Sequence, residues 1–309
     1  MELVERIPVE KATSLKSIIF EDSQRLKKFK NKEEAKTKLK LLIHFCDGVI
    51  KGRGECKRLY GFTDKTAQGA SGRLYCGGSV QGLPKQVRGF LMSDTSDIDM
   101  VNAHPTILKW LCDKHNVPCA NLTLYLQNRD QYITQIPNGK HEFLCALNRD
   151  TRNLKIKNPF FIAFDKEMKE IQKQFYTIPE YNMYLSISEV IYNWNGSTLN
   201  RILCIYENDI LQTAIGVIAK NNMEVAVLMF DGCMIYGEQN QTLLDEIAAT
   251  VNTKFEGLHM SWKYKPHETT IEIPEDWIDT EIRIWERKEK DGEYLITPDG
   301  RSIPLKRGI

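Results

Sequence analysis

Two aspartates, Asp97 and Asp99, lie two residues apart shortly before a proline, a spacing that could serve metal chemistry. Side chains at positions i and i+2 point to the same face of an extended strand. Pro105 ends the strand, and the apolar residues after it predict a helix. Carboxylates at such a strand end suit a hard divalent cation. An ordinary acidic strand end explains a lone Asp-x-Asp at least as well, so the motif needs partners.

Asp231 is the partner that the rest of the chain offers. It precedes Gly232 between two apolar, β-rich segments, and this Asp-Gly is the strongest hairpin signal in the sequence. We expect the glycine to adopt the φ > 0 of the turn and to leave room for a ligand. If the two acidic strand ends meet, they can hold two cations about 3.5–4 Å apart, as in-line phosphoryl displacement requires.

The elements that must position these carboxylates follow from the apolar pattern. Their order is strand, helices, hairpin, helix and strand, which predicts an α+β fold with an antiparallel sheet and a large helical insertion. Basic amphipathic helices are predicted over 21–50, short strands within the glycine-rich stretch 48–79, and a helix over 83–92. Later helices are predicted over 121–132, 140–148, 160–175, 186–219 and 242–255, and strands over 224–236, 260–264 and 269–273.

The 309 residues are 42% hydrophobic and 27% charged, which describes a globular protein. The net charge of +1 hides an asymmetry, because residues 1–90 hold 19 Lys and Arg but 10 Asp and Glu. A basic end joined to an acidic body suits a protein that binds a polyanion and holds metal ions elsewhere, although solvated helix faces explain it almost as well. Without a signal-peptide layout or a long apolar run, we expect a cytoplasmic or nuclear protein, not secreted, with no membrane partner.

The eight cysteines are scattered and include no Cys-x-x-Cys pair. Cys112, His115 and Cys119 have ligand-like spacing but lack a nearby fourth ligand for zinc. We therefore expect reduced, mostly buried thiols.

Several short motifs resemble those of A-family DNA polymerases, in the same order, across residues 57–275. Ser71-Gly72-Arg73-Leu74 is similar to the family's T-G-R-L, and the aspartates at 97 and 99 lie where its motif A begins. The hairpin around Asp231 resembles the H-D-E of motif C. The remaining similar segments are Ser79–Pro84 (N-L-Q-N-I-P), Val87–Phe90 (I-R-x-x-F) and Leu211–Ala214 (Q-G-T-A).

The resemblance leaves two alignments of motif A. The segment from Asp99 to Ile107 also looks like the D-x-x-S-L-Y-P-S-I of B-family polymerases, which favours Asp99 as metal ligand with Asp97 second. His104 then takes the position that gates against ribonucleotides, whereas Asn102 takes it if the first aspartate aligns. Glycine follows Asp231 where A-family members carry a second acid, so metal binding would depend on fewer carboxylates.

The resemblance also implies contacts with nucleic acid and nucleotide. By their matched positions, Arg73 and Gln81 would contact the primer–template minor groove, and Arg88 the nucleotide. Lys57 and Arg58 would bind nucleic acid nearby. Arginine suits phosphates and base edges because its planar guanidinium donates paired hydrogen bonds. The Lys27–Lys40 run would contact backbone phosphates, with a solvated helix face as an equal alternative.

A cation for the triphosphate is expected on the helical insertion. Lys140 opens a predicted helix after a Pro-Asn-Gly break and is the best candidate, because a helix N-terminus assists phosphate binding. A solvated surface lysine is an equal alternative. Arg129, Arg149 and Arg152 are further candidates for this role.

These observations predict a right-hand polymerase-like fold made of five consecutive regions. They are a basic helical region acting as a reduced thumb (1–56), a first palm segment with motif A (57–106), helical fingers (107–195), a second palm segment with motif C (196–275) and a charged tail or hairpin (276–309).

The predicted function is template-directed DNA polymerisation, of a viral or mobile-element type, with two Mg²⁺ or Mn²⁺ ions on the aspartates. The partners are primer–template DNA and dNTPs, with a replicative helicase or primase as a further candidate. Three alternatives stay open: a primase or other RNA-synthesising polymerase, a two-metal nuclease, and a non-catalytic nucleic-acid-binding scaffold on a degenerate palm.

Overall fold

The computed structural model describes residues 1–25, 32–66, 69–185, 193–268, 294–296 and 302–304. They belong to two compact units. The first contains Met1–Glu5, Lys57–Gly82 and Asp94–Pro266, and the second contains Arg6–Cys56, Leu83–Ser93 and the described residues of His267–Ile309. The predicted division into thumb, palm and fingers stays a prediction.

The described residues form ten strands and eleven α-helices. The strands are β1 (Glu2–Arg6), β2 (Glu55–Leu59), β3 (Gly61–Thr66), β4 (Gly69–Tyr75), β5 (Thr95–Met100), β6 (Val225–Leu228), β7 (Gly232–Tyr236), β8 (Trp262–Lys265), β9 (Tyr294–Ile296) and β10 (Ser302–Pro304). The helices are α1 (Val9–Arg25), α2 (Lys32–Lys51), α3 (Lys85–Leu91), α4 (Ala103–Lys114), α5 (Ala120–Gln127), α6 (Arg129–Thr134), α7 (Gly139–Asn148), α8 (Pro159–Thr177), α9 (Asn182–Leu185), α10 (Trp194–Lys220) and α11 (Gln241–Lys254).

The first unit is built on a four-stranded antiparallel sheet in the order β6-β7-β5-β8. β6 is buried along its whole length, which explains its unbroken apolar sequence. In β5, Asp97 pairs with Met234 of β7 and with Lys265 of β8, so this strand lies inside the sheet. The predicted antiparallel sheet and α+β class are confirmed.

Helix α10 belongs to the same hydrophobic core as this sheet. It packs against β4, α4, α7, α8 and α11. We expected apolar runs shorter than a membrane span, yet among the described residues α10 is long and apolar enough to cross a membrane by length and composition. Half of that window is buried within the protein, and buried Glu207 and Asn208 interrupt it, as in the core helix of a globular fold.

Most predicted helices are present, with shifts at their ends. The helix expected over 121–132 is two helices, α5 and α6, that meet at Asn128. α8 begins at Pro159, one residue before its predicted start, and Asn158 caps it by accepting a hydrogen bond from the Phe161 N–H at 3.0 Å. The portion of the predicted 186–219 helix that lies before residue 193 falls outside the described residues.

The structure gives the pairing of the predicted strands. β8 pairs with β5, and the strand predicted over 269–273 falls outside the described residues. In the glycine-rich stretch the strand pair is β3 with β4, whereas β2 pairs with β1.

The hairpin between β6 and β7 turns differently from the prediction. Phe230, at φ 67°, is the left-handed residue of the turn, and Gly232 does not adopt a positive φ. Glycine is needed at 232 for a different reason: a Cβ there would lie 2.0 Å from the Ile98 carbonyl oxygen of β5. The expected space for a ligand at this glycine is therefore occupied by the neighbouring strand.

The second unit contains helices α1, α2 and α3. α1 packs against α2, and Lys16 on α1 donates to Asp47 on α2 at 2.5 Å. The side chains of Lys27–Lys40, predicted to contact phosphates, fall outside the described residues.

Replacement of Gly232 by alanine should destabilise the protein. The added methyl group must separate β7 from β5, and such overpacking costs about 1–3 kcal/mol. Urea unfolding measures the change. Gly216→Ala is the matched control, because a Cβ at that position of α10 meets nothing within 4 Å, and it should be neutral or stabilising. Equal stability of Gly232→Ala and wild type would contradict the close approach of the two strands.

Candidate active site

The sheet brings the two candidate metal ligands together. Asp99 is near the end of β5 and lies opposite Gly232, the residue that follows Asp231. The Met100 N–H donates to the Asp231 carbonyl oxygen at 2.8 Å, which joins the two strand ends directly. Antiparallel pairing thus places two acidic residues, distant in sequence, at the adjoining ends of two neighbouring strands.

Both aspartates line a cavity of about 350 Å³ in the first unit. Glu207 is the third carboxylate of its wall. Cationic side chains complete it, and they come from four different elements: Arg73 (β4), Arg129 (α6), Lys140 (α7), and Lys263 and Lys265 (both β8). Carboxylates that face several cations across one cavity suit a ligand that carries both phosphate groups and divalent metal.

Burial raises the pKa of Asp231, and the negative charge of Glu207 raises it further. The nearby charges of Arg73 and His104 offset some of this effect. A bound cation at the cavity would stabilise the ionised Asp231 in the same way.

A buried ion cluster forms one side of the cavity. Glu207 on α10 is 1% exposed, and it accepts hydrogen bonds from Arg73 Nε at 2.5 Å and from Arg73 Nη2 at 3.0 Å. His104 Nε2 lies 3.2 Å from Glu207 Oε1. This cluster of Arg73, His104 and Glu207 joins β4, α4 and α10. The predicted minor-groove residue Arg73 is therefore held by a bidentate ion pair.

The cluster shifts the pKa of its members in opposite directions. Burial alone would lower the pKa of His104, but hydrogen bonds to Cys204 and Glu207 and the charge of Glu207 raise it to about 9. Burial alone would raise the pKa of Glu207, but its bonds to His104 and Arg73 lower it. At neutral pH the cluster therefore contains one buried anion and two cations.

Three more predicted residues line the same cavity. Asn102, at φ 53°, is the left-handed residue before α4, and His104 follows in the first turn of that helix. Lys140 is the second residue of α7 and is exposed to solvent. Of the alternative cations, Arg129 also lines the cavity.

Arg149 and Arg152 instead contact their own region of the helical insertion. Arg149 lies within 4 Å of carboxylate oxygens of Glu142 and Asp165, and Arg152 donates to the Ile162 carbonyl. The cavity cations of the insertion are therefore Lys140 and Arg129.

Asp97, the less favoured metal ligand, is half-buried and is absent from the residues that line the cavity. It lies opposite Lys265 and Met234 in the ladder. Its neighbour at i+2, Asp99, is the aspartate that reaches the cavity.

Gln81 has a structural position that argues against the predicted nucleic-acid contact. Its side chain is 5% exposed, and its amide nitrogen donates to the carbonyls of Leu74 at 3.0 Å and Leu228 at 2.9 Å. The amide oxygen accepts from the Cys76 N–H at 3.2 Å. An amide committed to three backbone groups connects β4 to β6 and has little capacity left for a ligand.

Lys57, Arg58 and Arg88 are not among the residues that line the cavity. Arg58 donates to the buried Glu5 at 2.7 Å, and Lys57 is exposed on β2. Arg88 is on α3, in the second unit. Their roles stay predictions.

His104, Cys204 and Glu207 offer ligand atoms within 4.8 Å of one another, a geometry that could hold a metal ion. Arg73 already binds both oxygens of this glutamate, which leaves a metal with poor access. In the cysteine grouping considered for zinc, Cys112 and Cys119 hydrogen-bond to each other, whereas His115 bonds Tyr181 at 2.9 Å. All eight cysteines are free thiols, and five of them are buried, as predicted.

Three charged residues of the cavity were missed in the sequence. Glu207 lies four residues from both Leu203 and Leu211, on the buried side of α10, and an acid on an apolar helix face is a signal for a buried charge. Lys263 and Lys265 alternate with aromatic residues on β8, and nothing in their own sequence indicates their neighbours.

No protein-family model matches the sequence. The protein described as "Putative helicase V13" of Sputnik virophage is 26% identical over 256 residues, which cover 74% of this chain. The chain spans about a third of that relative's length, 32%. Among solved structures, the POL domain of Pol1 from M. smegmatis in complex with DNA primer-template and dNTP aligns with a TM-score of 0.47 and 11% identity, over 76% of this chain and 52% of that one. The A-family assignment stays a prediction.

The raised pKa of His104 makes stability depend on pH. Its pKa is about 9 in the folded protein against an ordinary value of 6.5, so the imidazolium stabilises the fold fully below pH 6.5 and loses this contribution as the pH rises through 9. The loss should be on the order of 3 kcal/mol. The measurement is the urea-unfolding free energy of wild type minus that of His104→Gln at several values between pH 6 and 10.

His259→Gln, at an exposed position, is the control and should follow the wild-type curve. A wild-type minus His104→Gln difference that stays constant over the interval would show that the buried imidazole does not hold its proton.

Proposed function

We propose that this chain is a template-directed nucleotidyltransferase that adds dNTPs to a primer 3′-hydroxyl. The observation that carries the proposal is the cavity in which the strand-end carboxylates of Asp99 and Asp231 face cations from four elements. In the proposed reaction the 3′ oxygen bonds to the α-phosphorus and the bond to pyrophosphate breaks. The hydroxyl proton passes to a base or to water.

The carboxylates of Asp99 and Asp231 would hold the Mg²⁺ or Mn²⁺ ions, with Asp97 as a further candidate ligand. The residues fit such ions, because both carboxylates reach the same cavity and carboxylate oxygens are hard donors. When bound, a pair of divalent ions makes the attacking hydroxyl more acidic and neutralises the leaving phosphate. The proposal depends on these two aspartates because residue 232, where A-family polymerases carry a second acid, is glycine.

The cations opposite would bind the nucleotide's phosphates. Lys140 lies at the N-terminus of α7, where backbone N–H groups assist anion binding, and Arg129 lies on the preceding helix α6. Their origin in the helical insertion supports the proposed fingers role for that region, within a right-hand polymerase-like arrangement.

Sugar discrimination would depend on α4. His104 is fixed by the buried Glu207, so its imidazole presents a rigid wall to the cavity. Asn102, two residues earlier, is the alternative gate. A wall set by these residues supports a deoxyribonucleotide preference, and a primase or other RNA-synthesising enzyme is the alternative if ribonucleotides are accepted.

The virophage relative supports a replication role inside a host cell. Its name, a putative helicase, describes a protein about three times as long as the matched segment. The present sequence has no Gly-x-x-x-x-Gly-Lys-Ser/Thr phosphate loop, the nucleotide-binding motif of P-loop motor proteins. We propose that this segment acts in nucleotide addition next to a helicase or primase function.

A non-catalytic scaffold is the second candidate. It is favoured by the ion pair between Lys265 and Asp99 and by the glycine at 232, which together reduce the carboxylates open to metal. DNA binding without nucleotide addition would identify this function.

Asp99→Asn and Asp231→Asn should each reduce primer extension at least about 100-fold, because even outer-shell partners of metal sites are worth 10- to 100-fold. DNA affinity, measured by fluorescence anisotropy, should be retained. Asp245→Asn on the exposed side of α11 is the control and should extend primers like wild type. A folded wild-type protein that adds no nucleotide to any primed or unprimed template, with either Mg²⁺ or Mn²⁺, would refute catalysis.

The gate is tested by the ratio of kcat/KM for dNTP to that for NTP. His104→Gln should lower this ratio about 10-fold or more, since contacts to a sugar hydroxyl position discriminate at this level. Asn102→Gly, which preserves the left-handed backbone at φ 53°, should change the ratio less. The reverse pattern would assign the gate to Asn102, and a wild-type preference for NTPs would favour the primase.

A further inference from the structure

The strand beside Asp99 contributes two lysines to the cavity. In the β5–β8 ladder Lys263 lies opposite Asp99 and Lys265 lies opposite Asp97. Residues two apart on a strand share a face, so both lysines lie on the aspartates' side of the sheet. Both line the cavity, and Lys265 forms the ion pair to Asp99 through Nζ and Oδ2.

Asp99 needs this positive charge because its side chain is 5% exposed. Burial of a charged carboxylate away from water costs free energy unless a cation compensates its charge. Two other cations of the cavity, Arg73 and His104, already bind Glu207. The ammonium of Lys265 therefore supplies the charge that Asp99 would otherwise take from a metal ion.

The position beside Asp99 is also closed to another acid. A Cβ at residue 232 would lie 2.7 Å from Asp99 Oδ1, so a larger residue cannot be added without moving the strands. The charge balance at this carboxylate is thus decided between Lys265 and a divalent cation. The side chain of Lys265 is 40% exposed and flexible, so it can turn toward solvent.

We propose that Lys265 occupies a cation position at Asp99 and competes with a divalent ion for that carboxylate. This inference rests on the proposed function, since it concerns the same carboxylate. Lys265 balances the charge of Asp99 before metal arrives, and metal binding requires Lys265 to leave. The lysine thereby sets the metal concentration at which the site fills.

The test is Mn²⁺ affinity of the full chain, measured from free Mn²⁺ by electron paramagnetic resonance and by calorimetry. Lys265→Met keeps the apolar stem and removes the charge. It should bind Mn²⁺ about 10- to 100-fold more tightly, since an adjacent cation changes proton affinity at a carboxylate by one to three powers of ten. Lys265→Arg keeps the charge and should bind like wild type. Asp99→Asn in the Lys265→Met background should abolish the gain.

Lys263→Met is the matched control, because Lys263 shares the strand, the face and the cavity but does not form the ion pair to Asp99. Its effect should be several times smaller. Equal effects of the two methionine variants, or weaker binding by Lys265→Met, would overturn the competition. Lys265→Gln provides a second neutral variant if the methionine variant does not fold.

The outcomes separate this inference from the function on which it rests. Metal binding by wild type that disappears in Asp99→Asn, with no change in Lys265→Met, overturns the role of Lys265 alone. Absence of Mn²⁺ binding in every variant overturns both the competition and the proposed metal-dependent function.

Discussion

The buried carboxylate of Glu207 is the constraint on which the candidate site depends. At 1% exposure it cannot be solvated, so it must be compensated by cations from other elements. Arg73 supplies a bidentate ion pair from β4 and His104 a second contact from α4, while Glu207 itself belongs to the central helix α10. Removal of one member leaves the others charged and buried. The cluster therefore gives the cavity one rigid wall and determines which cations remain for a ligand.

The sheet imposes the complementary constraint on the acidic side. β7 approaches β5 so closely at Gly232 that only glycine fits, and this approach brings Asp99 and Asp231 to one edge. The same approach limits the number of carboxylates there. The charge of Asp99 is balanced by Lys265, a half-exposed and exchangeable cation, in contrast to the permanent pairing of Glu207. The ion pairs of Glu207 thus stabilise one wall of the cavity, whereas the ion pair of Asp99 can open for the proposed chemistry.

Local patterns predicted much of this arrangement. Helical periodicity identified α4, α7, α8, α10 and α11, and the apolar, β-rich segments on either side of Asp-Gly identified the β6–β7 hairpin. Lys140 was predicted to lie at a helix N-terminus because it follows a Pro-Asn-Gly break. Matched motifs did not indicate which partners the polar residues have within the protein. Gln81 looked like a ligand for nucleic acid, yet its amide connects backbone groups of two strands, and Arg73 is bound to a glutamate 134 residues away.

The sequence by itself determined the elements, their order, the antiparallel class of the sheet and the acidic strand ends, because periodicity and turn chemistry act between neighbours along the chain. Only the tertiary structure decided which charges meet. Glu207, Lys263 and Lys265 reach the cavity through helix packing and strand register, and no local pattern specifies either partner. The turn shows the same division. Asp231-Gly232 predicted a hairpin from the sequence, but residue 232 must be glycine because the backbone of β5 lies too close for a Cβ. Compensation of buried charge is a long-range requirement, and it is satisfied by residues that the fold brings together.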